Sequence, residues 1–191
     1  DRENDSRYKK TFKDTYLSNK PGTYNTSFDL SKSSVTYALG DTAIYLPGFD
    51  MSLADRAKKK YQVLIPSRYD ERIFLAINKH FDGGRVDRTQ FEGGRDFIAF
   101  RLADTYLMLA EAQFFSGATA DAAATYNIVR RRAAWPGKES AMLVSAGDLN
   151  VNFVMDERER ELLGEQSRWF DLARWGNLVE RVKLHNPQAA P

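Results

Sequence analysis

The segment from residue 101 to residue 134 constrains the fold most, because it holds two helix-forming runs joined by one tight turn. Residues 101–116 contain no Gly or Pro and are rich in Leu and Ala, which favour helix. Gly117 is placed to end this helix. A second helix is predicted over residues 119–133, where Arg130-Arg131-Arg132 lies at the negative end of the helix dipole.

The two predicted helices resemble a tetratricopeptide unit. In such a unit, small residues let the helices cross closely and aromatic residues fill the space on either side. The positions that carry this resemblance are Tyr106, Leu109, Ala110, Ala122, Tyr126 and Val129. A single unit of this kind does not bury both of its faces, so we expect neighbouring elements to pack against it.

Apolar residues nearly surround the first helix, which predicts that it is buried on several sides. Glu111 lies within this apolar helix. A buried carboxylate needs a partner, so we expect Glu111 to hydrogen-bond to the end of a neighbouring helix.

Further helices are predicted downstream. One is capped by Asp148 and continues to about Leu163, a short one is capped by Ser167, and the last follows Gly176. The first hundred residues are different, because aromatic residues and turn formers replace any long helical period.

Three short strands are predicted in this first half, over residues 35–39, 44–46 and 61–65. Tyr8, Phe12 and Tyr16 recur at a spacing of four, which favours a short amphipathic helix. The segment 72–81 fits either a strand or a helix.

The predicted fold is therefore mainly α: a tetratricopeptide-like helix pair plus further helices, with a loop-rich N-terminal half that carries a few short strands. The predicted organisation is a loop-rich aromatic segment over residues 1–100, a helical scaffold over 101–184 and a tail over 185–191.

Composition excludes several kinds of function. The chain has no Cys and only two His, so cysteine-based zinc sites are excluded, and a His-rich metal site or a His-dependent triad is not expected. The 28 basic residues nearly balance the 26 acidic ones, which gives no electrostatic reason to expect nucleic acid. We expect no cofactor and no metal.

No apolar run approaches the roughly 18 residues that cross a bilayer, and the first residues do not form a signal peptide.

The carboxylates of residues 156–161 invite a catalytic interpretation, in which two of them form a general acid and base pair. We favour a structural interpretation. On a helix, Asp156 and Glu157 both lie one turn before Arg160, and such pairs stabilise a helix by roughly 0.2–0.5 kcal/mol each.

A second charged segment alternates Arg and Asp with aromatic residues. Its members are Arg168, Trp169, Phe170, Asp171, Arg174 and Trp175. One hypothesis is a cation–π or sugar-stacking platform. We favour the other, in which the aromatic residues belong to the core and an Arg–Asp pair anchors the helix to the preceding one.

Several ordered blocks of the second half resemble the C-terminal signature of the SusD/RagB family. They are Arg95-Asp96-Phe97 and residues 101–112, 126–133, 157–162 and 168–176. Weaker similarity in the first half involves Asp5-Ser6-Arg7, Thr11-Phe12 and Lys79-His80-Phe81.

This resemblance implies a largely helical scaffold with long ligand-binding loops. It also implies a non-catalytic lipoprotein at the outer surface of the cell outer membrane, which captures glycans for a SusC-like TonB-dependent transporter. The lipid-bearing cysteine and the first helices of the family are absent from these residues. We therefore expect a C-terminal fragment whose membrane anchor lies on a missing N-terminal part.

The aromatic residues on predicted loops and element edges are the candidate ligand-binding residues, because sugar rings present flat apolar faces that aromatic rings cover. These candidates are Tyr45, Phe49, Tyr61, Tyr69 and Trp135. Two other functions remain open: a protein- or peptide-binding scaffold built on the tetratricopeptide-like pair, and an enzyme that uses the 156–161 carboxylates.

Overall fold

The computed structural model describes residues 2–71, 73–84, 87, 89, 92–186 and 189. The chain divides into two compact units. The helical unit consists of Asp1–Tyr8 and Asp82–Pro191, and the loop-rich unit is Lys9–Phe81. The three segments predicted from the sequence, 1–100, 101–184 and 185–191, describe expected roles and not compact units. They stay a prediction.

Short elements make up the first part of the chain. In chain order they are α1 (Arg7–Thr11), β1 (Phe12–Lys13), β2 (Thr15–Leu17), β3 (Gly22–Asn25), β4 (Ser34–Tyr37), β5 (Thr42–Tyr45), α2 (Leu53–Ala57), β6 (Gln62–Val63) and β7 (Ala76–Ile77). β1 pairs with β7 and β3 with β4, while β5 lies between antiparallel β2 and parallel β6.

The predicted strands are confirmed as β4, β5 and β6, although each has slightly different bounds. The helix predicted from the spacing of Tyr8, Phe12 and Tyr16 ends at Thr11 and is wrong beyond that residue. Phe12 pairs with Ile77 instead. Cross-strand pairing satisfies the backbone groups of this segment, so the local helical spacing does not decide its structure.

Five helices build most of the helical unit as described. They are α3 (Leu102–Phe115), α4 (Thr119–Ala133), α5 (Val151–Leu162), α6 (Arg168–Arg174) and α7 (Leu178–His185). Their number and order match the sequence prediction, so the mainly helical fold with a loop-rich first half is confirmed.

The helix ends confirm one predicted cap and correct two. Gly117 has φ of +87° directly after α3, as its predicted role at the end of the helix requires. α5 is capped by Asn150, which accepts the Phe153 amide at 3.0 Å, and not by Asp148. Asp148 instead accepts the Ser145 amide at 2.7 Å and closes a separate turn. Ser167 precedes α6, but its side chain makes no capping hydrogen bond to a described residue.

The core of the helical unit lies where α3, α4 and α5 meet. Its buried members are Leu107, Ala110, Tyr126, Val129, Val154 and Leu162. The small and aromatic positions of the predicted tetratricopeptide-like contact are therefore confirmed at Ala110, Tyr126 and Val129. The assignment of Leu109 is wrong: it is exposed, and Leu107 takes the buried position.

The prediction that α3 is buried on several sides is wrong as well. Four large side chains on this helix are exposed: Leu102, Met108, Leu109 and Phe115. We call these four residues the exposed α3 face. Among the described elements, α3 packs mainly against α4 and α5, which leaves this face uncovered.

Candidate functional site

Tyr45 and Tyr61 form the centre of the predicted ligand-binding set. Both side chains are half-buried, and their ring centroids lie 6.1 Å apart at an interplanar angle of 81°. Tyr45 ends β5, and its carbonyl oxygen accepts the Leu64 amide at 3.0 Å. An edge-to-face pair of this kind adds stability beyond area burial, so the two rings support each other's positions.

A buried charge cluster positions the backbone of Tyr61. Lys32 Nζ donates to the Tyr61 carbonyl oxygen at 2.9 Å and to the Arg56 carbonyl oxygen at 2.8 Å. Asp29, which is almost completely buried, accepts from Lys32 Nζ at 3.2 Å and from the Val63 amide at 2.9 Å. The cluster therefore ties the segment before β6 to the loop that follows β3.

The ionisation of Asp29 fits this role. Burial alone raises its pKa, but hydrogen bonds from Ser31, Val63 and Lys32 outweigh burial and hold the pKa of Asp29 below its ordinary value. The carboxylate is therefore charged at neutral pH and able to hold Lys32.

The other three candidate residues lie in different surroundings. Phe49 is exposed, whereas Tyr69 is half-buried and donates its amide to the Pro66 carbonyl oxygen at 3.0 Å. Trp135 belongs to the helical unit, where its Nε1 donates to the Arg2 carbonyl oxygen at 3.1 Å. The structure thus brings Tyr45 and Tyr61 together, and their role in ligand binding stays a prediction.

Glu157, one of the carboxylates that invited a catalytic interpretation, is completely buried. It binds three guanidinium groups: Arg7 at 2.9 Å, Arg130 at 2.6 Å and Arg160 at 2.7 Å. The predicted pair of Glu157 with Arg160 is present, and the other two partners come from outside α5.

Glu161, one turn further along α5, has a similar environment. It pairs with Arg7 at 3.2 Å, with Arg101 at 2.6 Å and with Arg132. Burial alone raises the pKa of Glu161, but the hydrogen bond from Arg101 and the nearby positive charges hold it below its ordinary value.

The two remaining carboxylates of the segment also pair with arginine. Asp156 lies 3.7 Å from Arg160, as predicted, and Glu159 lies 2.7 Å from Arg168. A general acid and base pair would need two carboxylates facing one cleft. Asp156 and Glu159 do line one pocket of about 580 Å³, but each is paired with an arginine. Since Glu157 and Glu161 are buried against arginines as well, the contacts support the structural interpretation.

The N-terminal residues complete this network. The Ser6 side chain donates to the Ala133 carbonyl oxygen at 2.8 Å, and Asp5 forms a β-bridge with Ala134. Asp5 also pairs with Arg7 at 2.7 Å. Sequence reasoning did not find this role for Arg7, because no local pattern links it to Glu157, which lies 150 residues away.

α6 is anchored by ion pairs, as predicted. Asp171 binds Arg158 of α5 at 2.9 Å. The Arg174 guanidinium and the Trp175 indole both bind Glu111, with Nη2 to Oε2 at 3.0 Å and Nε1 to Oε1 at 2.9 Å. Glu111 is buried, so the prediction that it needs a partner from a neighbouring helix end is confirmed.

The aromatic residues of α6 do not follow the prediction. Trp169 and Phe170 are 64 % and 73 % exposed, so the expectation that they belong to the core is wrong. Asp171 and Leu172 occupy the buried side of this short helix instead. Only Trp175, after the end of α6, packs against the core.

Two general features bear on function. Every helix in the described parts of the chain is too short or too polar to cross a membrane. Within those same residues, no three Asp, Glu or His side chains cluster closely enough to hold a metal ion.

Comparison with known proteins decides the family. The SusD family matches residues 1–188, which is nearly the whole sequence. The chain belongs to the SusD family.

Two relatives from Formosa agariphila illustrate the similarity. SusD-like protein P25 is 37 % identical over 94 residues, which is 49 % of this chain and 18 % of the relative. SusD-like protein P38 is 33 % identical over 90 residues, which is 44 % of this chain and 18 % of the relative. The matched stretch is thus less than a fifth of the length of either relative.

Proposed function

We propose that this protein captures oligosaccharides at the outer surface of the outer membrane, as a lipoprotein, for import by a SusC-like TonB-dependent transporter. The observation that carries the proposal is membership of the SusD family across residues 1–188. Within this proposal the protein binds its ligand and does not transform it.

The contacts of the acidic segment support a binding role over catalysis. Glu157 and Glu161 are buried and each is held by three arginines, so neither carboxylate is open to contact with a ligand. In the proposal these two carboxylates are structural: they join α5 to Arg7, Arg101 and Arg130.

In this proposal the sugar contacts come from Tyr45, Phe49, Tyr61, Tyr69 and Trp135. The partly exposed rings of Tyr45 and Tyr61 offer apolar faces to a sugar, and their backbones are fixed by β5 and by Lys32. Fixed rings lose little side-chain freedom when a ligand binds, which favours affinity.

A protein- or peptide-binding scaffold is the competing proposal. It needs a groove of exposed polar residues inside the helix pair. The contact between α3 and α4 is filled instead by Ala110, Ala122 and Val129, which are all buried. The geometry therefore supports glycan capture better.

A glycan array followed by calorimetry on this chain tests the proposed function. We expect binding of at least one oligosaccharide class, and an affinity reduced about tenfold or more in Tyr45→Ala and Tyr61→Ala, since each change removes a stacking face. Tyr24→Ala is the matched control, because Tyr24 is an exposed tyrosine of the same unit on β3. Failure to bind any glycan would contradict the proposal.

A further inference from the structure

A cavity of about 470 Å³ lies in the helical unit, between the segment that precedes α3 and the turn that joins α5 to α6. Its volume falls within the range of roughly 300–1,000 Å³ that is typical of small-molecule sites. The aromatic side chains that line it are Phe97, Phe100 and Phe170. Phe100 is 87 % exposed and Phe170 is 73 % exposed, so both rings are accessible from solvent.

Polar groups lie on the same cavity wall. Gln166 and Ser167 both line it, and their side chains have no hydrogen-bond partner among the described residues. Gln166 has φ of +62° and is the one described residue other than glycine with a positive φ. A non-glycine residue in this conformation is strained, and such strain concentrates at functional sites.

Charged side chains also line the cavity, and they pair with one another. Arg158 is buried, and it binds Asp171 at 2.9 Å and Asp104 at 3.1 Å. Its Nη1 has no hydrogen-bond partner among the described residues. Arg101, the other cation of the lining, is paired with Glu165 at 2.7 Å.

Two arginines and three carboxylates therefore line the cavity. The lining therefore has one more carboxylate than arginine, so it offers an anionic ligand no excess positive charge. Exposed aromatic faces beside unpaired amide and hydroxyl groups suit a neutral sugar. The apolar CH face of the sugar stacks on a phenyl ring, and its hydroxyls hydrogen-bond to the polar side chains.

We propose that this cavity of the helical unit is a second sugar-binding site, which takes a neutral sugar ring and stacks it on Phe100 and Phe170. The proposal rests on the proposed function, because it assigns a further site to the same class of ligand. Gln166 and Ser167 supply its hydroxyl contacts.

Calorimetry with neutral oligosaccharides built from glucose, mannose, galactose or xylose, and with matched uronic-acid oligosaccharides, tests this site. We expect the unmodified chain to bind a neutral oligosaccharide. We expect Phe170→Ala and Phe100→Ala to weaken that binding about tenfold, the loss of one stacking contact. Gln166→Ala is expected to weaken it several-fold. A preference for the uronic-acid series would overturn the assignment of a neutral ligand.

Trp169→Ala is the matched control, because Trp169 is an exposed aromatic residue of the same helix that does not line the cavity. Its affinity should stay within about twofold of the unmodified chain. If the chain binds a sugar and the cavity variants bind it equally well, this second site is wrong and the proposed function stands. If the chain binds no sugar, both fail. Circular dichroism confirms that each variant is folded.

Discussion

Glu157 is a single buried residue on which the stability of the helical unit is expected to depend, because it binds three guanidinium groups. Replacing it in Glu157→Gln keeps the shape of the side chain and removes its charge. We expect a loss of about 3–5 kcal/mol in the free energy of unfolding, since the neutral amide no longer balances the guanidinium groups of Arg7 and Arg130, which are largely buried. Urea denaturation followed by circular dichroism measures this change.

Asp156→Asn is the control for this experiment. Asp156 lies on the same helix, is partly exposed and makes one long pair at 3.7 Å. A surface pair of this kind contributes at most about 1 kcal/mol. Similar losses in the two variants would contradict the central role of Glu157.

Gln166 gives a second prediction at the scale of single residues, because its φ of +62° is unfavourable for any residue with a Cβ. We expect Gln166→Gly to raise the free energy of unfolding by up to about 1 kcal/mol, after the greater flexibility of the unfolded glycine is taken into account. Thermal denaturation measures the change. Gln166→Ala keeps the strain and should not stabilise; an equal gain in both variants would exclude backbone strain as the cause.

Single residues also show where sequence reasoning succeeds and where it fails. The partner requirement of Glu111 and the pairing of Asp156 and Glu157 with Arg160 were predictable, because they depend on helix spacing and on the cost of burying a charge. The contacts of Arg7 with Glu157 and Glu161 were not predictable, since these partners lie 150 or more residues away. Phe100 and Gln166 were missed because no short pattern reveals a cavity.

At the scale of elements, the turn between α3 and α4 depends on the left-handed conformation of Gly117. A Cβ added to Gly117 would meet no atom within 4 Å, so a substitution there tests backbone conformation alone. We expect Gly117→Ala to lower the free energy of unfolding by about 1–2 kcal/mol. Chemical denaturation measures the loss.

Gly147→Ala is the matched control for Gly117→Ala. Gly147 has no positive φ, and an added Cβ would lie 3.8 Å from Ser145 Oγ, which is an ordinary contact. This variant should be nearly neutral. An equal loss in both would mean that the two turns are sensitive to any added side chain.

Helices were easier to predict than their ends and their buried faces. α3 and α4 follow from long runs of helix-forming residues bounded by Gly117. The burial of α3 was overestimated because an apolar sequence does not say which neighbours are present to cover it. The same limit explains Trp169 and Phe170, which are apolar and yet exposed.

At the scale of the whole molecule, buried carboxylates set the dependence of stability on pH. The pKa values of Asp5, Asp29 and Glu161 are all held below their ordinary values. Such groups stabilise the folded state above their unfolded pKa of about 4, and this contribution is lost as pH falls through the lower folded pKa. We therefore expect the urea midpoint to be nearly constant from pH 7 to about 5 and to fall steeply below about 4.

Glu161→Gln supplies the control for this pH series. It removes one of the carboxylates whose pKa is lowered, so the fall in urea midpoint between pH 5 and pH 3 should become shallower. An unchanged slope would show that Glu161 does not contribute to the acid transition.

The exposed α3 face gives a further prediction for the whole molecule. Large contiguous apolar surfaces favour association, so we expect the chain to self-associate and to bind a hydrophobic dye. Met108→Lys combined with Phe115→Lys should reduce both, as measured by sedimentation velocity and dye fluorescence. Leu39→Lys, at an exposed leucine of the loop-rich unit, is the control. A clean monomer with low dye binding would contradict the prediction.

The loop-rich unit enters the chain after Tyr8 and leaves it before Asp82, so both of its ends are continuous with the helical unit. Asp5, Ser6 and Arg7 remain attached to α4 and α5 through the β-bridge, the hydrogen bond to Ala133 and the ion pairs with Glu157 and Glu161. An inserted stretch of this kind is free to lengthen, shorten or diverge over evolutionary time while its host keeps the same framework. Under the proposed function, the ligand contacts that lie in the inserted stretch can therefore change while the framework of the helical unit is kept.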